Sequence, residues 1–77
     1  MSVFDKVKEI ILQELSVDAE KVTIDANLKE DLGADSIDAV QIIMDLEDTF
    51  GIEIDTDNAD AIATVGNLVD YIESLTK

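Results

Sequence analysis

Hydrophobic positions recur at helical spacing in three stretches of the chain. Val3, Phe4, Val7, Ile10, Ile11 and Leu15 share one face, with Lys6, Lys8, Glu9, Gln13 and Glu14 on the other, which predicts an amphipathic helix from about Val3 to Leu15. Ser2 and Asp5 stand at capping-box spacing before it. A second helix is predicted over Ser36–Phe50, with Asp35 as N-cap, Asp38 adding negative charge in the first turn and Gly51 as the stop. Val65, Leu68, Val69, Ile72 and Leu75 form the stripe of a last helix, capped by Thr64 and slightly weakened by Gly66 in its first turn. Between the first two helices, residues 16–35 keep no period and form a long connection. Such a connection must pack to survive in a small domain. Val17, Val22, Ile24, Leu28 and Leu32 are its expected anchors, with a helical turn near Asp18–Val22. Ile52-Glu53-Ile54 reads as extended loop, and a short third helix is expected around Thr56–Ile62.

The second helix has two apolar faces. At about 100° per residue, Ala39, Ile42, Ile43, Leu46 and Phe50 fall together as a core stripe. Ile37, Val40 and Met44 fall nearly opposite, with Ser36, Gln41, Glu47 and Asp48 around them. Either the long connection covers this second strip, or the strip is exposed and rimmed by acids, as docking surfaces often are. Methionine suits a surface that fits several partners.

Composition narrows the function classes. The chain of 77 residues is short enough for one small domain, and its 47% hydrophobic content can build a core. It has no cysteine and no histidine, which excludes disulfides, thiolate metal sites and any Ser-His-Asp arrangement. Acids outnumber bases 19 to 5, a formal net charge of -14. Nucleic-acid phosphates would be repelled, whereas partners with basic patches would be drawn in. The same charge also simply keeps a small protein soluble. No run approaches a membrane span, and acids interrupt the N-terminal apolar stretch too early for a signal peptide. A cytoplasmic monomer is the expectation.

Ser36 is the chemically distinctive residue. Asp-Ser at a helix start is by itself ordinary capping chemistry. A hydroxyl without a neighbouring base is also a poor nucleophile, so Ser36 cannot run catalysis alone. It can serve as an attachment point if another enzyme supplies the base, the metal and the activated phosphate donor. A helix N-terminus favours a phosphate there, and Gly33 and Ala34 leave the approach uncrowded.

The segment Gly33-Ala34-Asp35-Ser36-Ile37-Asp38-Ala39-Val40 resembles the Gly-Ala-Asp-Ser-Leu-Asp-x-Val motif of acyl carrier proteins. Phe50-Gly51-Ile52-Glu53-Ile54 and the stretches Thr64-Val65 and Asp70-Tyr71-Ile72 resemble that family's later segments, so the likeness spans essentially the whole chain. The resemblance implies an all-α four-helix bundle, with three longer helices, a short third helix and a long first loop, as one carrier domain over residues 1–77. It implies a non-catalytic carrier with 4'-phosphopantetheine attached through Ser36. The arm would hold acyl groups as thioesters and move them between enzymes of fatty acid or polyketide biosynthesis. Expected partners are a phosphopantetheinyl transferase and acyl-processing enzymes with basic patches. Asp35, Ile37, Asp38, Val40, Gln41, Met44, Glu47 and Asp48 would form the docking face, and Leu46, Ile54, Ala59, Ile62 and Leu68 an acyl cleft. Ile37 replaces the usual Leu, Gln41 a common Glu and Asp55 a common Pro; none of these changes removes the attachment chemistry. The Asp before Ser36 favours a discrete carrier over a peptide-synthetase carrier.

Two other readings compete. Asp55-Thr56-Asp57-Asn58-Ala59-Asp60 has the opening of a calcium loop, but Asp60 stands where that loop needs Gly and Gly66 where it needs Glu. No dedicated metal site is therefore expected, although divalent cations are expected to sit weakly among Glu30, Asp31, Asp35 and Asp38, or among Glu47, Asp48 and Glu53. A plain interaction domain, with Ser36 only as a cap, is the second alternative.

Overall fold

The computed structural model describes residues 2–54 and 63–76. Three α-helices run in the order α1 (Val3–Glu14), α2 (Ser36–Phe50) and α3 (Val65–Thr76), with a 3-10 turn at Ala19–Lys21 in the long connection. No strand occurs among the described residues. The fold there is all-helical, with α1 packed against both α2 and α3. The short third helix expected around Thr56–Ile62 lies outside the described residues.

The helix ends follow local chemistry. Ser2 Oγ accepts from the Asp5 N–H at 3.1 Å, and the Ser2 N–H donates back to Asp5 Oδ2 at 3.5 Å, a reciprocal capping box with Asp in the third position. α2 ends at Gly51 in the left-handed conformation. Thr64 Oγ1 accepts from the Asn67 N–H, while Asn67 Oδ1 accepts from the N–H groups of Ala63 and Thr64. The start of α3 is thus held by a polar cluster in which Asn67, not foreseen in the sequence, is the central member.

One core lies between the three helices. Val7, Ile10 and Ile11 enter it from α1, Ile42, Ile43 and Leu46 from α2, and Val65, Leu68, Val69 and Ile72 from α3. Leu15 closes one end. The long connection adds Val22, Leu28 and Leu32 as expected, together with Ala26 and Ala34. Val17 packs only in part, and Ile24 is not a buried anchor: it remains 49% exposed. The backbone beside Ile24 explains this. Residues 24–28 run along 63–66, with the Gly66 N–H donating to the Ile24 carbonyl, Val65 to Ala26 and Leu28 to Ala63. An isolated antiparallel bridge joins Asn27 and Thr64. Ile24 contributes backbone to this seam and lays its side chain over Gly66.

Gly66 is therefore more than a weak helix residue. A Cβ at this position would lie 2.8 Å from Ile24 Cγ2 and 3.0 Å from the Ile24 carbonyl oxygen. Alanine is worth about 1 kcal/mol over glycine inside a free helix. Here the clash falls on a stiff β-branched side chain and on a backbone acceptor already in use. Gly66→Ala should lower stability by about 1 kcal/mol instead of raising it, as urea titration would read; a stabilised variant would mean the seam gives way freely.

Candidate functional site

The approach to α2 is built by the seam. The Ala34 N–H donates to the Leu28 carbonyl, and the N–H groups of Asp31 and Leu32 both donate to the Asn27 carbonyl. Asn27 Oδ1 accepts from Lys29 and Glu30, and Asp31 Oδ2 accepts from the Asn27 N–H at 2.7 Å. Leu28 thus connects the turn before α2 to Ala63 before α3. Gly33 makes that turn with φ of +72°, a conformation that side chains other than glycine adopt only with strain.

Asp35 caps α2. Its Oδ1 accepts from the Asp38 N–H at 2.8 Å, and Asp38 Oδ2 accepts from the Asp35 N–H at 3.4 Å. Both carboxylates are thus tied into a capping box. Ser36 is the first residue of the helix and is exposed. The first N–H groups of a helix have no acceptor within it, and the helix dipole adds positive potential there. The site therefore offers an accessible hydroxyl beside donors suited to a phosphodiester. Where a Cβ would lie on Gly33, no atom comes within 4 Å. These features fit an attached phosphate-bearing arm.

Along α2 the strip of Ile37, Val40 and Met44 is open, at 75%, 47% and 52% exposure. The long connection does not cover it. Gln41 and Asp48 are exposed on the adjacent turns, while Asp38 is half-buried. α2 carries Asp38, Asp45, Glu47 and Asp48 and no base, so the strip lies in an uncompensated negative field.

Glu47 differs from the other rim acids. It is half-buried, and its Oε2 accepts from the Ile54 N–H at 2.9 Å. The sequence counts it as a docking charge and as a member of a weak cation cluster with Asp48 and Glu53; the fold gives it a structural partner seven residues on. Of the expected acyl-cleft residues, Leu46, Ile54 and Leu68 come together in the core. Ala59 and Ile62 lie outside the described residues.

The acid clusters do not assemble as a cation site. Among the described residues, no three Asp or Glu side chains converge on a point that could hold a metal ion. Asp31, Asp35, Asp38 and Glu47 each spend a carboxylate oxygen on a backbone N–H instead. Among the described residues, no helix is long and apolar enough to cross a membrane.

Comparison with known proteins agrees with this geometry. The family model described as "Phosphopantetheine attachment site" matches residues 5–72. The chain is also similar to a solved structure of acyl carrier protein from Enterococcus faecalis. The two share 44% sequence identity and superpose with a TM-score of 0.79, over 96% of this chain and 98% of that one.

Proposed function

Because the chain belongs to the acyl carrier family of phosphopantetheine attachment domains, we propose that Ser36 carries the 4'-phosphopantetheine and that the protein, one domain over residues 1–77, shuttles acyl groups between the enzymes of fatty acid biosynthesis in the cytoplasm. A polyketide pathway would place the same demands on the chain. The observation that carries this reading is an exposed serine at the mouth of α2, next to an apolar strip that is left open among the described residues.

The division of labour follows from the residues. The chain has no histidine, and the two carboxylates nearest Ser36 in sequence are engaged in the capping box. Ser36 offers a hydroxyl, and a phosphopantetheinyl transferase supplies the base and the activated donor. Once attached, the group supplies a terminal thiol, the only one on a protein without cysteine. The N–H groups of Ser36 and Ile37, at the start of α2, would be the donors that hold the phosphodiester. Leu46, Ile54 and Leu68, which come together in the core, are the described part of the wall that would shield an acyl chain. The protein itself is a monomeric carrier and not a catalyst.

The test is intact mass after incubation with a phosphopantetheinyl transferase and coenzyme A. A gain of one phosphopantetheinyl group, mapped to Ser36, is expected; no gain, or a gain elsewhere, overturns the proposal.

Docking uses the strip and its rim. Asp35, Asp38, Gln41, Glu47 and Asp48 surround Ile37, Val40 and Met44. A partner with a basic rim and a small apolar pocket would bring its active site over Ser36. Rim charges set association rate and salt dependence, while apolar contacts set residence time. Asp48→Lys should cost about 1 kcal/mol, a roughly fivefold slower transfer, and the deficit should shrink as salt is added. Met44→Ala should weaken binding with its salt dependence unchanged. Wild-type rates and salt dependence in both folded variants would place docking on another face.

A further inference from the structure

The helical wheel places Glu47 between Ile43, which faces the core, and Val40, which faces solvent, at about 100° per residue. From that border its carboxylate reaches the backbone N–H of Ile54 at 2.9 Å. Its carbonyl oxygen accepts from Gly51 in the helix cap and from Ile52 at 3.2 Å. One residue therefore holds both ends of the segment that turns off α2. Ile54, where the segment re-enters the core, is only 5% exposed. The other rim acids with backbone partners on α2, Asp35 and Asp38, hold only each other three residues away.

We infer that Glu47 is a positioning residue for the cargo cleft: its carboxylate fixes Ile54 as a cleft wall and thereby sets which acyl chain lengths the fold shelters. This rests on the carrier reading above. A hydrogen bond from a part-buried N–H to a charged acceptor is among the stronger ones. Among the described residues Glu47 is the side-chain acceptor for the Ile54 N–H, so its loss loosens the wall without removing any apolar side chain.

Glu47→Gln keeps an acceptor and removes the charge, whereas Glu47→Ala removes both. Two readouts separate them. The first is hydrogen exchange at the Ile54 amide in the unmodified protein. The second is the thermal stabilisation produced by acyl chains from butyryl to palmitoyl, loaded through the transferase. Glu47→Gln should protect the Ile54 amide less than wild type but more than Glu47→Ala, and should show the wild-type dependence on chain length. Glu47→Ala should exchange about tenfold faster at Ile54 and lose the length dependence. Ile72→Val, which trims the core on α3, serves as a control for general destabilisation and should keep the length dependence. The inference is overturned if Glu47→Ala retains both properties, if Glu47→Gln fails together with it, or if Ile72→Val flattens the profile equally. A wild-type profile without length dependence also overturns it. The mass gain at Ser36, measured on the same samples, reads the carrier assignment separately.

Discussion

Ser36→Ala should fold like the parent and gain no mass from a phosphopantetheinyl transferase and coenzyme A, an all-or-none loss. The substitution removes the attacking oxygen and little else. Ser36 is exposed, and the N-cap bonds belong to Asp35 and Asp38 rather than to its hydroxyl. Alanine is also a good helix former at this position. Ser2, Ser16 and Ser74 cannot substitute. Ser2 Oγ is engaged in the α1 capping box and Ser74 donates to the Tyr71 carbonyl near the end of α3. Ser16 follows α1 and has no helix start behind it. Residual modification of Ser36→Ala would move the attachment site elsewhere. An unmodified wild type would end the carrier reading.

Ile72→Ala should unfold a substantial fraction of the protein at low ionic strength. Ile72 is fully buried where α3 meets the core. Truncating such a side chain costs about 2–5 kcal/mol, because the cavity collapses only in part. A domain of this size has about 5 kcal/mol to lose. The net charge of -14 lowers that margin further through self-repulsion. Added salt should restore part of the lost stability in the variant and raise the wild-type melting temperature, because screening shortens the range of the repulsion. No converging carboxylate site is built among the described residues, so monovalent and divalent salts should act by screening in proportion to ionic strength. The check is urea unfolding by circular dichroism at low and high salt. A loss under 1 kcal/mol, or a wild-type protein indifferent to salt, would show that the core is plastic or the repulsion negligible.

The helices and their caps were legible because both depend on neighbours within four positions. Ser2 with Asp5 and Asp35 with Asp38 are both three residues apart, a spacing the helix itself brings into contact; Thr64 was legible as a cap, but its partner Asn67 was not. Ser36 was legible for the same reason: its placement needs only the Gly33 turn and the Asp35 cap. Ile24 was misread as an anchor because its apolar character outweighed a role that its backbone plays. Ala26 and Ala34 were overlooked because alanine adds little to a hydrophobic pattern, although both are buried.

Local pattern by itself determined the three long helices, their ends, the two apolar faces of α2 and a lone hydroxyl at a helix mouth. Tertiary structure alone decided that the long connection pairs with residues 63–66 and leaves Ile37, Val40 and Met44 uncovered. It also decided that Glu47 turns from the rim toward Ile54. Periodicity records which side chains share a face of one element. It cannot record which backbone groups of distant segments find each other, since every residue carries the same N–H and C=O.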